Sequence, residues 1–212
     1  SRKSVVSSVS DFAAKGIVPK YCIVSLTLPK TISKKHVQEI SKGFSDACKE
    51  FKIQLLGGDT NEGKEISIHV VLFGSLKKYV KRKDARIGDL ICTTGAFGYT
   101  SAALGIILKN KKSSKTFSKK SKDLFFRPNP RLKFGIRSAK YITSCMDSSD
   151  GLSSCINEMS RQSKKKFVIT DYPTNEDVKE FSKRNRMDLK KLVFDGGEEF
   201  ELVFTTSPKN LT

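Results

Sequence analysis

Apolar positions in the first third of the chain follow two periods in turn. Val5, Val6, Val9, Phe12 and Ala13 recur at helical spacing, which predicts a helix from Arg2 to Lys15 ended by Gly16. The run Tyr21-Cys22-Ile23-Val24-Ser25-Leu26-Thr27-Leu28 is rich in β-formers and stops at Pro29, the mark of a strand. Ser33 stands where an N-cap belongs, and Val37, Ile40, Phe44, Ala47, Cys48 and Phe51 then predict an amphipathic helix packed on a sheet. Ile53 to Leu56 reads as a short strand entering a turn at Gly57-Gly58-Asp59-Thr60, and the alternation from Glu65 to Phe73 predicts another strand.

Between Gly74 and Gly88 apolar content drops, and an interdomain crossing is expected there, dividing the chain into domains 1–80 and 81–212. The second half restarts with a strand at Asp89 to Thr94 and a helix from about Tyr99 to Leu108. The lysine- and serine-rich stretch Lys109 to Lys122 reads as a mobile surface loop, and Arg127-Pro128-Asn129-Pro130-Arg131 as a rigid turn before a helix from about Leu132 to Lys140. Tyr141 to Met146 reads as a strand, followed by a helix through Cys155 and Met159. A strand at Phe167 to Thr170, one or two helices between Asn175 and Leu192, and a last strand at Phe200 to Thr205 complete the pattern. The mixture predicts an α/β (α+β) fold in two domains.

Composition narrows the class. Hydrophobic residues at 37% and charged residues at 29% suit a folded globular chain, and no apolar run reaches the roughly 20 residues a membrane span needs. Ser1 to Val9 lack the features of a secretory signal, so a cytoplasmic protein is expected. Cys22, Cys48, Cys92, Cys145 and Cys155 are odd in number and form no CxxC pair, which points to free, buried thiols rather than disulfides or zinc. The net charge of +18 favours anionic partners, whether nucleotides, phosphorylated metabolites or nucleic acid. The basic stretches lack interleaved aromatic residues, which favours a lysine-rich exterior over a base-stacking groove.

Three segments carry candidate chemistry. Gly58-Asp59-Thr60-Asn61-Glu62-Gly63-Lys64 approaches a phosphate-binding P-loop, but Glu65 replaces the hydroxyl residue and a strand follows, so no helix N-terminus would face the phosphate. What remains is a glycine turn projecting Asp59. Asp147-Ser148-Ser149-Asp150-Gly151 puts two carboxylates three residues apart at a strand-to-helix junction, where Ser149 or Asp150 could equally be an N-cap. Asp195-Gly196-Gly197-Glu198-Glu199-Phe200-Glu201-Leu202 is the third acidic-glycine segment, a tight turn with solvated acids being its plain alternative. Clustered carboxylates from separate loops suit Mg²⁺, which shares hard oxygen ligands with substrate phosphates.

The order and wording of six segments resemble thiamine-monophosphate kinase, of the aminoimidazole-ribonucleotide-synthetase-related superfamily. They are Val9 to Gly16, Gly57-Gly58-Asp59-Thr60, Gly88 to Gly95, Arg127 to Arg131, Asp147 to Leu152 and Gly196 to Leu202. The resemblance implies transfer of the ATP γ-phosphoryl group to thiamine monophosphate, giving thiamine diphosphate. It implies Asp11, Asp59, Asp147 and Asp150 as Mg²⁺ ligands, Gly58, Arg82 and Ser149 as contacts to ATP, and Glu198 as a contact to the thiamine-bearing substrate. It further implies a homodimer in which the N-terminal sheets of two subunits pair. Phosphoryl transfer rests on positioning and charge neutralisation, and a phosphate-monoester acceptor is already largely ionised near neutral pH, so no catalytic base is assigned.

The chain departs from the family pattern in places. Gly98-Tyr99-Thr100 stands where a Gly-Asp-Ser pattern is common. No counterpart of the family's Gly-Asp-Asp segment precedes Ser1, and its final segment has no counterpart before Thr212. A fragment with an under-coordinated metal site and weakened dimerisation is therefore expected. The alternatives are another superfamily enzyme (aminoimidazole ribonucleotide synthetase, selenophosphate synthetase or a hydrogenase-maturation type) or a non-catalytic basic nucleic-acid-binding protein.

Overall fold

The strands assemble into two three-stranded sheets joined by an irregular connection. The structure, a computed structural model, describes residues 1–76 and 78–210. Helix α1 (Arg2–Lys15) ends at Gly16, whose φ of 68° is the left-handed conformation that glycine adopts without strain. Strand β1 (Tyr21–Leu28) is the centre of the first sheet. Helix α2 (Lys34–Phe51) begins at Ser33, whose hydroxyl accepts the His36 amide, and crosses over to β2 (Gln54–Glu62), which runs parallel to β1. Strand β3 (Ser67–Phe73) flanks β1 on its other edge, antiparallel. One face of this sheet is covered: Cys22 and Val24 of β1 pack with Val5 and Val9 of α1 and Phe44, Ala47 and Cys48 of α2.

The second sheet has the order β4 (Leu90–Thr93), β6 (Leu202–Thr206), β5 (Ile142–Asp147), with β6 antiparallel to both neighbours. Around it lie α3 (Tyr99–Lys109), α4 (Lys115–Phe126), α5 (Leu132–Ser138), α6 (Leu152–Ser163), α7 (Glu176–Arg184) and α8 (Leu189–Phe194). Every residue of β6 is buried, as expected of a central strand. Helix α1 packs against α2 and β3 on one side and against α5 and β5 on the other. The α1–α5 approach is close enough that a Cβ on Gly135 would sit 2.1 Å from the Ala13 carbonyl oxygen, so glycine is required there. No helix among the described residues is long and apolar enough to cross a membrane.

Three local expectations are corrected. Gly57 to Thr60 is not a turn: β2 runs through it, pairing Ile23 with Gly57 and Ser25 with Asp59 after a bulge between Cys22 and Ile23. Gly58 makes this possible, because a Cβ there would lie 1.9 Å from the Val24 carbonyl oxygen of β1. The lysine-rich stretch is a loop only as far as Ser114. Ser114 accepts the Phe117 amide and starts α4, and Phe117 stacks on Phe181 with ring centroids 5.0 Å apart. Burial of one such aromatic contributes roughly 1.5–3 kcal/mol, enough to hold a helix whose other positions are mostly polar. Phe167 to Thr170 is irregular and has no ladder partner among the described residues, with Val168 largely exposed.

Candidate functional site

Strands β5 and β6 bring two acidic segments together at one end of the second sheet, where Asp147, the last residue of β5, pairs with Leu202, the first of β6. The segment after Asp147 lies back to back with the segment before Leu202. The Ser148 amide donates to the Glu201 carbonyl (2.9 Å), the Glu201 amide donates to Ser148 Oγ (3.0 Å), and the Glu198 amide donates to the Ser149 carbonyl (2.8 Å). Side chains would not fit in this seam. Gly151 has φ 95° and approaches the Gly196 carbonyl, and a Cβ on Gly197 would stand 2.7 Å from the Ser149 carbonyl oxygen. Gly151 is also the N-cap of α6 without any side-chain cap, so neither Ser149 nor Asp150 is spent on capping.

Charge is concentrated where α1 meets this loop. Asp147 is 5% exposed, and burial together with the negative charge of Asp11 on α1 pushes its carboxyl above the usual carboxylate range. Ser10 and Ser149 act in the opposite direction, although Ser10 Oγ is buried and makes no hydrogen bond of ordinary geometry. One turn along α1, Lys15 is lowered by burial and by the Arg82 guanidinium, and raised by Cys145, Asp11 and Asp147. Arg82 is half-buried, its Nε has no partner, and its carbonyl accepts Ser144 Oγ at 2.7 Å. The charges of Asp147, Asp150 and Arg82 all reach Cys155, whose thiol is pushed up to about 12, chiefly by burial. Cys145 is raised further still for the same reason, which leaves both thiols inert.

The remaining expected residues sit apart. Asp59 is exposed on β2 beside Ser25, its carboxylate accepting the Thr60 amide (2.9 Å) and Asn61 Nδ2 (2.7 Å), with no hydrogen bond to Asp11, Asp147 or Asp150. Gly58 packs on the β1 backbone. Glu198, with φ 63°, forms an ion pair with Lys3 at 2.8 Å, tying its loop to the start of α1. Among the described residues no group of three His, Cys, Asp or Glu side chains is placed to hold one ion. Mg²⁺ commonly uses one or two carboxylates, with water and phosphate oxygens supplying the rest, and Asp147 with Asp11 and Ser10 around it offers oxygen atoms alone, a donor set of the kind Mg²⁺ takes.

Several residues escaped the sequence reading. Glu199 is buried, its Oε1 accepting the Gly98 amide (2.8 Å), the Thr100 amide (3.3 Å) and Thr100 Oγ1 (3.0 Å) at the start of α3, and burial pushes its carboxyl up to about 7. Glu201 is buried against Arg131 and Thr94. The available signal was Glu199-Phe200-Glu201 leading directly into an apolar strand, where buried acids need partners. A cleft of about 750 Å³ lies between residues 85–93 and 164–173 and includes none of the expected site residues.

Comparison with known proteins bears on this arrangement. The profile of the AIR synthase related protein, N-terminal domain, matches residues 1–76. A curated thiamine-monophosphate kinase from Nitrosopumilus maritimus is 53% identical over 209 residues, covering 99% of this chain and 66% of the relative. One from Methanocaldococcus jannaschii is 33% identical over 219 residues, covering 97% of this chain and 67% of the relative. A solved structure of AaThiL complexed with AMPPCP and TMP superposes with a TM-score of 0.89 at 27% identity, over 98% of this chain and 70% of that one. The chain thus spans about two thirds of the length of the curated relatives it matches.

Proposed function

Given that the chain belongs to the thiamine-monophosphate kinase family, we propose that it acts in ATP-dependent phosphorylation of thiamine monophosphate to thiamine diphosphate. The observation that carries this reading is the likeness, over nearly the whole chain, to a structure holding an ATP analogue and TMP. The reading is supported by the junction of α1 with the Asp147 loop, where a carboxyl is buried beside the negative charge of Asp11, an environment in which a bound cation would favour the ionised form.

In this reading Asp11 and Asp147 serve Mg²⁺ as a pair, and Asp150 and, from the first sheet, Asp59 would reach the metal ions through shared phosphate and water oxygens rather than as one preformed cluster. Bound there, Mg²⁺ would neutralise charge on the phosphate oxygens. Arg82, half-buried with an unpartnered Nε, would bring its guanidinium charge to a phosphate group of the nucleotide. Ser149 and Gly58 contact the nucleotide. Glu198 contacts the thiamine-bearing substrate once released from Lys3. No side chain acts as a base, because the acceptor is already anionic.

The proposal extends to a cytoplasmic homodimer. Tyr21, Ile23, Val71 and Phe73 are exposed on the uncovered face of the first sheet and pair across the β1–β3 ladder, Tyr21 with Phe73 and Ile23 with Val71. An apolar face of this kind suits the sheet of a second copy. The reading is tested by following thiamine diphosphate formation from ATP and thiamine monophosphate with Mg²⁺. Product is expected, with a hundredfold or greater loss in Asp147→Asn. A variant as active as the wild type would overturn the assignment of the loop.

A further inference from the structure

We propose that Arg131 and Glu201 are positioning residues that set the place of the acidic loop relative to Asp11, a role that rests on the phosphotransferase reading above. Arg131 lies immediately before α5 with φ 53°, and its guanidinium forks onto the Glu201 carboxylate, Nε to Oε2 at 2.7 Å and Nη2 to Oε1. Thr94 Oγ1 donates to the same Oε2 at 2.5 Å while accepting the Leu202 amide at 2.8 Å. Gly95 leaves room for this carboxylate, since a Cβ there would stand 2.5 Å from Oε1. The Glu201 side chain is only 8% exposed, and both its oxygens are occupied.

The consequence lies in what the pair connects. The Glu201 backbone is bonded in both directions to Ser148, the buried residue between Asp147 and Ser149. On the Arg131 side, α5 is locked to α1 at Gly135–Ala13 and Ala139–Gly16, and α1 carries Asp11. The ion pair is therefore a joint between the helix bearing one carboxylate and the loop bearing the others. A buried ion pair contributes little net stability once desolvation is counted, but a bidentate one defines geometry closely. Groups that orient metal ligands typically change affinity 10- to 100-fold when removed, and misplacement by an ångström is enough for such losses.

The test measures Mn²⁺ binding in the presence of AMPPCP by electron paramagnetic resonance on the full chain, with thermal melting alongside. Arg131→Lys keeps the charge and loses the fork, and Arg131→Met combined with Glu201→Met replaces the pair by apolar contact. Both are expected to weaken Mn²⁺ binding 10- to 100-fold while far-UV circular dichroism is retained. In an Asp147→Asn background the same changes are expected to add less than threefold, because the ligand they position is gone. A lowered melting temperature with unchanged Mn²⁺ affinity, or losses that simply multiply with Asp147→Asn, would overturn the proposal. If the double variant fails to fold, Arg131→Lys decides. A wild-type chain that binds no Mn²⁺-AMPPCP sinks the phosphotransferase reading and this proposal with it, whereas wild-type binding matched by every variant sinks this proposal alone.

Discussion

Gly57-Gly58-Asp59-Thr60 and Asp147-Ser148-Ser149-Asp150-Gly151 look alike in sequence, yet the fold treats them in opposite ways. Asp59 stands in a continuous strand at the edge of the first sheet, exposed and satisfied by its own neighbours Thr60 and Asn61. Asp147 is buried at a strand end, faces the charge of Asp11, and depends on a second glycine segment packed against its loop. A carboxylate in water costs nothing to keep ionised, whereas one buried beside another is held in a state that a cation would relieve. The similarity of two acidic-glycine motifs thus says little about their electrostatic condition. That condition is set by what packs behind them.

The sharpest break of this comparison is steric. Gly58→Ala would drive a Cβ into the β1 backbone, and a loss of about 3 kcal/mol or more is expected in chemical denaturation, since neither strand can move without breaking the ladder. A loss below about 1 kcal/mol would mean that β2 is not locked onto β1.

On the buried side, Glu199 gives a pH signature. Its folded pKa of about 7 lies above the ordinary 4.5, so the native state holds a proton that the unfolded chain releases between those values. Stability from this group is complete below about pH 4.5 and is lost as pH rises through 7, a change on the order of 3 kcal/mol. Glu199→Gln keeps an acceptor at the start of α3 and should flatten that slope in urea melts taken across the range. An unaltered slope would place the proton elsewhere.

Asp147 and Asp59 themselves provide the smaller effects. Burial and the charge of Asp11 disfavour the ionised Asp147 carboxyl in the ligand-free fold, so Asp147→Asn should raise the melting temperature at pH 7 while weakening Mg²⁺-dependent nucleotide binding. Asp59→Asn should shift folding stability by less than about 0.5 kcal/mol, because the side chain is exposed and its partners are local. Equal shifts from both variants would erase the contrast between the two segments.

What the sequence showed followed local chemistry. Helices α1 and α2 and strand β1 were readable because caps, periodic apolar residues and breaks at Gly16, Pro29 and Ser33 all agree. Helix α4 was hidden because its buried side is mostly Phe117 and Ser121, a face too narrow to register among so many lysines. The extent of β2 was hidden because glycines that signal a turn in isolation also permit close contact with a neighbouring strand. The Asp147 loop stood out as a candidate by its paired acids, and grouping it with Asp11, whose charge acts on Asp147 in the fold, followed from resemblance rather than from spacing. Arg131 and Glu201 were not legible, because they are 70 residues apart and their roles exist only after α5 and β6 are in place.

If the proposed function holds, the carboxylates where α1 meets the Asp147 loop should make nucleotide binding depend on Mg²⁺. Calorimetric titration of AMPPCP into the wild type, Asp11→Asn and Asp147→Asn, each with and without Mg²⁺, tests it directly. The expected result is that Mg²⁺ strengthens wild-type binding at least tenfold and that either substitution removes the gain. A Mg²⁺ enhancement that survives intact in Asp147→Asn would contradict the account.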